Sequence, residues 1–152
     1  METIRCHICA CANELANGHD SLCVQCDADL TDSKSEIKLL EDTHNALYSL
    51  VDKTMSPGWE AYVYLTNKRL IVVPAKMRGS GLDGRLAAVV YNKITSKSGL
   101  VSIPLTDITA VRDGKMGLLM KALIVDVADG ELVKIKVGGR EKWREAITEA
   151  IK

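Results

Sequence analysis

The sequence predicts an α+β protein that is mainly β. A small cysteine-bearing module comes first, then a linker helix, then an antiparallel sandwich or open barrel capped by a C-terminal helix. Three observations carry this. All five cysteines of the 152-residue chain lie between Cys6 and Cys26. Near Trp59 the apolar spacing changes from helical to alternating. After Gly138-Gly139 it returns to a helical stripe that runs to the end.

Size and composition suit a small module plus one domain. The chain is 47% hydrophobic and 26% charged, enough for a real core, and it has no Phe. No apolar run approaches the roughly 18 residues of a membrane span. The opening METIRCHIC lacks the basic-then-apolar layout of a signal peptide. The expectation is a cytoplasmic protein, peripheral to the membrane at most, with its thiols kept reduced. The formal net charge of zero hides an asymmetry: residues 1–31 are net −4, residues 32–56 net −2 and residues 57–152 net +6.

In the first module, Cys6-x2-Cys9 and Cys23-x2-Cys26 stand thirteen residues apart. Two such turns let four thiolates converge on one ion, and a four-thiolate zinc site is closed and structural. The predicted cofactor is one Zn2+ per chain on Cys6, Cys9, Cys23 and Cys26. Cys11 leaves an alternative open. Leu30 stands four residues after Cys26, whereas Leu15 stands four residues after Cys11, so Cys11 could replace Cys9 on a longer loop. The two-residue spacing favours Cys9. With four thiolates in place, His7 and His19 read as surface histidines. The stretch resembles the short zinc ribbons at the ends of many bacterial proteins. Some of those bind nucleic acid, but this ribbon is net −4 before a −2 metal centre is counted and has no Trp, Tyr or Phe. Phosphate contact needs cations, so nucleic acid is the third-ranked partner.

Residues 32–56 are predicted to form an amphipathic linker helix, with Ile37, Leu40, Leu47, Leu50 and Val51 as its stripe and Asp32 or Ser33 as N-cap. Ser56-Pro57-Gly58 ends it. Residues 57–152 then form the body. "EAYVYLT" alternates, "NK" turns, and "RLIVVPA" returns. "KMRGSGLDGR" is a glycine-rich loop. "LAAVVYNKI" and "GLVSIPL" read as a hairpin joined through "TSKS", and "DITAVRDGK" as a further strand and turn. "ALIVDVA" and "ELVKIKV" form a hairpin about Asp129-Gly130, with Val133, Ile135 and Val137 inward and Lys134 and Lys136 outward. The final helix carries Trp143, Ile147, Ala150 and Ile151 on one face.

"YLTNKRLIVV", then "VSIPLTDITAVRDG", then an Asp-Gly hairpin and a helix with one Trp resembles the GRAM domain, a branch of the pleckstrin-homology-like (PH-like) superfamily. The resemblance spans about residues 57–152, and the insert 76–98 departs from it. Read from the residues alone, Thr66, Asn67 and Lys68 make a turn, Arg69 starts a strand, and Pro104 suits an edge or bulge.

No enzyme constellation is present: there is no phosphate loop, no His-Glu-x-x-His and no Gly-x-Ser-x-Gly. The leading expectation is a non-enzymatic, zinc-containing interaction or adaptor module that binds a protein or itself, with no small-molecule substrate. The alternative, which the resemblance also implies, is binding of anionic membrane lipid or phosphoinositide head groups. Its candidate contacts are Lys76, Arg78, Arg85, Lys93 and Lys97, set against Asp83 alone in 76–97. The opposite charges of ribbon and body predict a ribbon weakly docked on its own body, or docked on a partner subunit, with its position sensitive to salt.

Overall fold

The computed structural model describes residues 2–15, 22–50, 58–75 and 99–152. Strands β1 (Glu2–Arg5) and β2 (Ala12–Leu15) pair antiparallel and form a two-stranded sheet. A larger, eight-stranded sheet is built from β3 (Lys38–Asp42), β4 (Leu47–Ser49), β5 (Trp59–Thr66), β6 (Arg69–Pro74), β7 (Val101–Pro104), β8 (Ile108–Met116), β9 (Met120–Val127) and β10 (Leu132–Lys136). Its order is β7-β6-β5-β4-β10-β9-β8, with β3 also paired to β5. One α-helix, α1 (Arg140–Ala150), follows.

The first strand of the larger sheet is bent. β3 pairs with the second half of β5, and β4 pairs with its start and with β10 on the other side. Residues 43–46 make the bend, so one chain segment belongs to both layers. The sheet folds over there, and its two layers enclose Val63, Leu65, Leu70, Val72, Ile103, Leu123, Val125, Val133 and Ile135. Helix α1 closes the open side with Trp143 and Ile147, and Ala150 and Ile151 pack partly against the same core. β7 and β8 are the two ends of the sheet order and do not pair, so the barrel is open. The short 3-10 turn Leu105–Asp107 carries the chain round that corner.

The hairpins match their turn chemistry. Asp129 and Gly130 take φ of 72° and 81°, the left-handed pair that a tight β9–β10 connection needs. Val133, Ile135 and Val137 are buried as alternation requires. Lys134, expected outside, is instead 2% exposed. It stands in the middle of a strand flanked on both sides, by β4 and β9, so its stem is covered.

The predicted linker helix is not formed. Of residues 32–56, those described run through turns into β3 and β4, and 51–56 lie outside the described residues. The Asp32 carboxylate does accept the Lys34 and Ser35 N–H groups at 3.1 and 3.0 Å, as a helix cap would. The turn it makes leads into a strand, because two long-range partners outbid the helix. The Asn67 side chain takes the Ile37 N–H at 2.7 Å, and β5 pairs with the stretch Lys38–Asp42 that follows. Short apolar runs fit either period, and tertiary pairing decides between them. The larger sheet therefore begins at Lys38, not at residue 57.

Candidate metal centre

The N-terminal module is two near-copies of one turn. In the first, the Cys6 N–H donates to the Cys11 carbonyl at 2.9 Å and the Ala10 N–H to the Cys6 carbonyl at 2.9 Å. In the second, the Cys23 N–H donates to the Ala28 carbonyl at 2.8 Å and the Asp27 N–H to the Cys23 carbonyl at 2.9 Å. The leading sulfur of each turn accepts a backbone N–H, from Ile8 and from Gln25, both at 3.4 Å. The residue after the trailing cysteine is left-handed in both: Ala10 and Asp27 each have φ of 62°. Glycine is the usual occupant of that conformation.

These turns bring four sulfurs together. Cys6, Cys9, Cys23 and Cys26 are buried, and their Sγ atoms all lie within 4.8 Å of one another. The Cys6–Cys26 and Cys9–Cys23 separations are both 3.6 Å. A tetrahedron of sulfurs about 2.3 Å from a common ion has edges of roughly 3.8 Å, so the cluster is of the right size for one. Its electrostatics ask for a cation. Hydrogen bonds among the thiols, Cys26's first, hold Cys23 far below the ordinary thiol range. The same kind of bond, Cys23's first, pushes Cys26 far above it. Four thiolates this close repel one another, so all four can ionise together only with a cation among them.

The pseudo-symmetry also separates Cys9 from Cys11. Cys11 occupies the position of Ala28, where the backbone carbonyl closes the turn, and its sulfur lies 3.5 Å from the Ala12 carbonyl oxygen. It is not one of the clustered sulfurs.

Asn13 escaped the sequence reading. It is buried on β2; its Nδ2 donates to the Cys11 carbonyl at 2.9 Å and reaches the Cys23 sulfur at 3.6 Å, and its Oδ1 accepts the Val24 N–H at 2.9 Å. One side chain thus ties the first turn to the second and holds a ligand-position sulfur. The only hint in sequence is a polar residue two positions past the last cysteine of the first turn. His7 is half-buried with its Nε2 covered, not a surface histidine. His19 lies outside the described residues.

The module does not ride on charge. Ile8, Ala28, Leu30 and the four cysteines form one apolar cluster with Tyr64, Ile71 and Val73 of the larger sheet and Leu100 just before β7, and Ile4, Cys11 and Tyr62 pack at its edge. The expected weak, salt-sensitive docking is overturned by this contact. Both faces of β5 and β6 are apolar, and the face turned away from the sandwich is the one the cysteine turns cover.

A second set of contacts fixes the approach. Arg69 donates from Nε and Nη2 to the two Glu36 carboxylate oxygens at 2.7 and 3.1 Å, and from Nη1 to the Ser102 hydroxyl at 3.0 Å. The Thr66 hydroxyl donates to the same carboxylate at 2.8 Å. Burial pulls the Glu36 carboxyl upward, but the hydrogen bonds of Arg69 and Thr66 and the guanidinium charge outweigh it and hold it below its usual range. Asn67 Nδ2 donates to the Ser35 carbonyl at 3.1 Å. The Leu105 N–H donates to the Lys68 carbonyl at 2.9 Å, so the "LTNKRL" and "IPLTDI" stretches touch. Thr66 to Arg69 are thus a clamp on the segment that leaves the cysteine module. The bases proposed for lipid contact, Lys76, Arg78, Arg85, Lys93 and Lys97, lie outside the described residues, as does the strand predicted over "LAAVVYNKI".

No family model matches the chain, and no curated protein matches it. Among solved structures it is similar to the Vps36 N-terminal PH domain, at 15% identity and a TM-score of 0.50, over 77% of this chain and 80% of that one. At that identity the likeness shows the fold alone, and the fold is PH-like: mainly antiparallel β, open, and closed by one C-terminal helix.

Proposed function

We propose that the chain is a non-enzymatic interaction module in which one structural zinc ion, held by Cys6, Cys9, Cys23 and Cys26, fixes a zinc ribbon onto the outer face of a PH-like domain, and that the combined surface binds a protein or a second copy of itself. The observation that carries this is the packing of the four-sulfur cluster against Tyr64 and Ile71. Four cysteines fill a tetrahedral ion, so no position is left for a substrate, and the centre acts by shaping a surface. That surface exposes Leu22 and Val24 of the second cysteine turn and Ile37 and Leu39 at the start of the large sheet. Exposed large apolar side chains such as these are what a protein interface would bury.

The contact between "LTNKRL" and "IPLTDI" supports placing the body in the GRAM branch of the fold. Anionic lipid binding by the 76–97 bases is a second reading. It is supported by the PH-like fold and by five cations against one acid in that stretch. The leading reading is tested by metal analysis and by native mass from light scattering across a wide concentration range. One equivalent of zinc is expected, with a mass that rises with concentration and returns to the monomer in Val24→Asp/Ile37→Asp. A protein that lacks metal, or whose mass and pull-down partners ignore those substitutions, would end it.

A further inference from the structure

A turn normally selects Gly, Asn, Asp, Ser or Pro. The β8–β9 turn is Met116-Gly117-Leu118-Leu119-Met120, and its two leucines are 62% and 93% exposed. Gly117 takes the left-handed φ of 68° that the turn needs, so the leucines are not there for backbone reasons. Met116, directly below them, is fully buried, and its sulfur occupies the space where a Cβ on Gly58 would sit. The tip is therefore anchored at its base and holds its apolar end out in water. A local rule broken with no gain in packing is a sign of function.

Charge says what the tip meets. Lys115 and Lys121 stand directly opposite one another one step below the Met116–Met120 pair, and both are exposed. Like charges in register across a ladder repel. The run Gly114–Ala122 contains no acid, and Asp113, the nearest one, is engaged by Arg140 and Arg144. Among the described residues no carboxylate pairs with either lysine. Two leucines ahead of two cations, neither paired by a described carboxylate, match the layering of an anionic bilayer, acyl chains below and head groups above. A protein interface is the poorer fit, since stable ones bury about 800 Å² per partner and a three-residue convex tip offers far less.

We propose that the β8–β9 tip is a membrane wedge: Leu118 and Leu119 enter the acyl region of an anionic bilayer while Lys115 and Lys121 contact its head groups. This goes beyond the interaction reading above and is separate from the 76–97 bases.

The test is sedimentation of the full chain with vesicles of phosphatidylcholine alone and of phosphatidylcholine mixed with phosphatidylserine. The wild type is expected to sediment with the anionic vesicles only. Leu118→Ser/Leu119→Ser should weaken that binding about tenfold or more, from the lost burial of two leucines. Lys115→Gln/Lys121→Gln should weaken it by about 25-fold and flatten its salt dependence, at about 1 kcal/mol per cation, roughly fivefold each. These side chains are exposed, so unchanged melting curves will show that the variants fold. Absence of vesicle binding by the wild type would overturn the proposal, as would equal binding by wild type and the leucine variant. So would a leucine variant that loses self-association in light scattering yet still binds vesicles, because the tip would then be a protein contact.

Discussion

Ile71 and Val72 are neighbours on β6, both fully buried, and they face opposite ways. Val72 points into the sandwich, among strands that the sheet itself supplies, while Ile71 points out toward the cysteine module. The inner face is closed by ordinary hydrophobic packing from residues spread over the whole domain. The outer face is closed by two short turns of chain with little core of their own. With a metal on the proposed site, so small a module would draw its folding energy largely from metal binding. On the proposed function, one strand therefore has an unconditional side and a side whose burial would depend on an ion.

That contrast can be broken most strongly by removing the proposed metal. Chelation, or Cys23→Ser, should release the module and leave Tyr64, Ile71, Val73 and Leu100 exposed. Binding of a hydrophobic dye should rise and the melting temperature should fall by about 10 °C, on the scale of a few kcal/mol for a chain of this size. The far-ultraviolet β signal should stay, because the sandwich core contains no ligand position. Collapse of that signal on chelation would mean that the two faces are not separable.

The Glu36–Arg69 clamp tests how the module is held from the side. Arg69→Ala leaves a partly buried carboxylate without its partner and should cost about 3 kcal/mol in urea unfolding. The Glu36 carboxyl is held below its usual range, so its contribution is complete at neutral pH and is lost as pH falls through that lowered value. Wild type should therefore lose stability on acidification more steeply than Glu36→Gln. Equal slopes would show the pair to be idle.

Asn13→Ala should lower metal affinity about tenfold by freeing the Cys23 sulfur and the second turn, as loss of an outer partner commonly does. Competition with a chromogenic chelator reads this directly. Unchanged affinity would make Asn13 a packing residue only. The smallest effect concerns the two left-handed positions. Ala10→Gly should stabilise by about 0.5–1 kcal/mol, and Asp27→Gly by less, because Asp tolerates that conformation better than Ala.

Much of this architecture was legible in the residues. Period-two alternation located β5, β6, β8, β9 and β10, Asp129-Gly130 located a turn, and the two Cys-x2-Cys pairs located the cluster. What was not legible depended on partners distant in sequence. The apolar positions from Ile37 to Leu50 fit a helix until Asn67 and β5 claim them as strands. Tyr62 and Tyr64 share the face of β5 opposite Ala61, Val63 and Leu65, and alternation says which residues share a face but is silent on what covers it. The cysteine module has few apolar side chains beyond Ile4, Ile8, Leu15 and Leu22, so its sequence gives little sign of an interface. Buried cysteine sulfurs are apolar surface too, and once clustered they complete one.

The central claim is that the cysteine module is the cover of the sheet's outer face, and the adjacent pair on β6 tests it best. Unfolding free energies of wild type, Ile71→Ala and Val72→Ala should be measured with metal bound and after chelation. With metal, Ile71→Ala should cost about 3–4 kcal/mol and Val72→Ala about 2–3 kcal/mol, as large-to-small changes in a core do. After chelation the Val72→Ala cost should persist while the Ile71→Ala cost falls below about 1 kcal/mol, the range for an exposed position. An Ile71→Ala cost that is the same with and without metal would contradict the account.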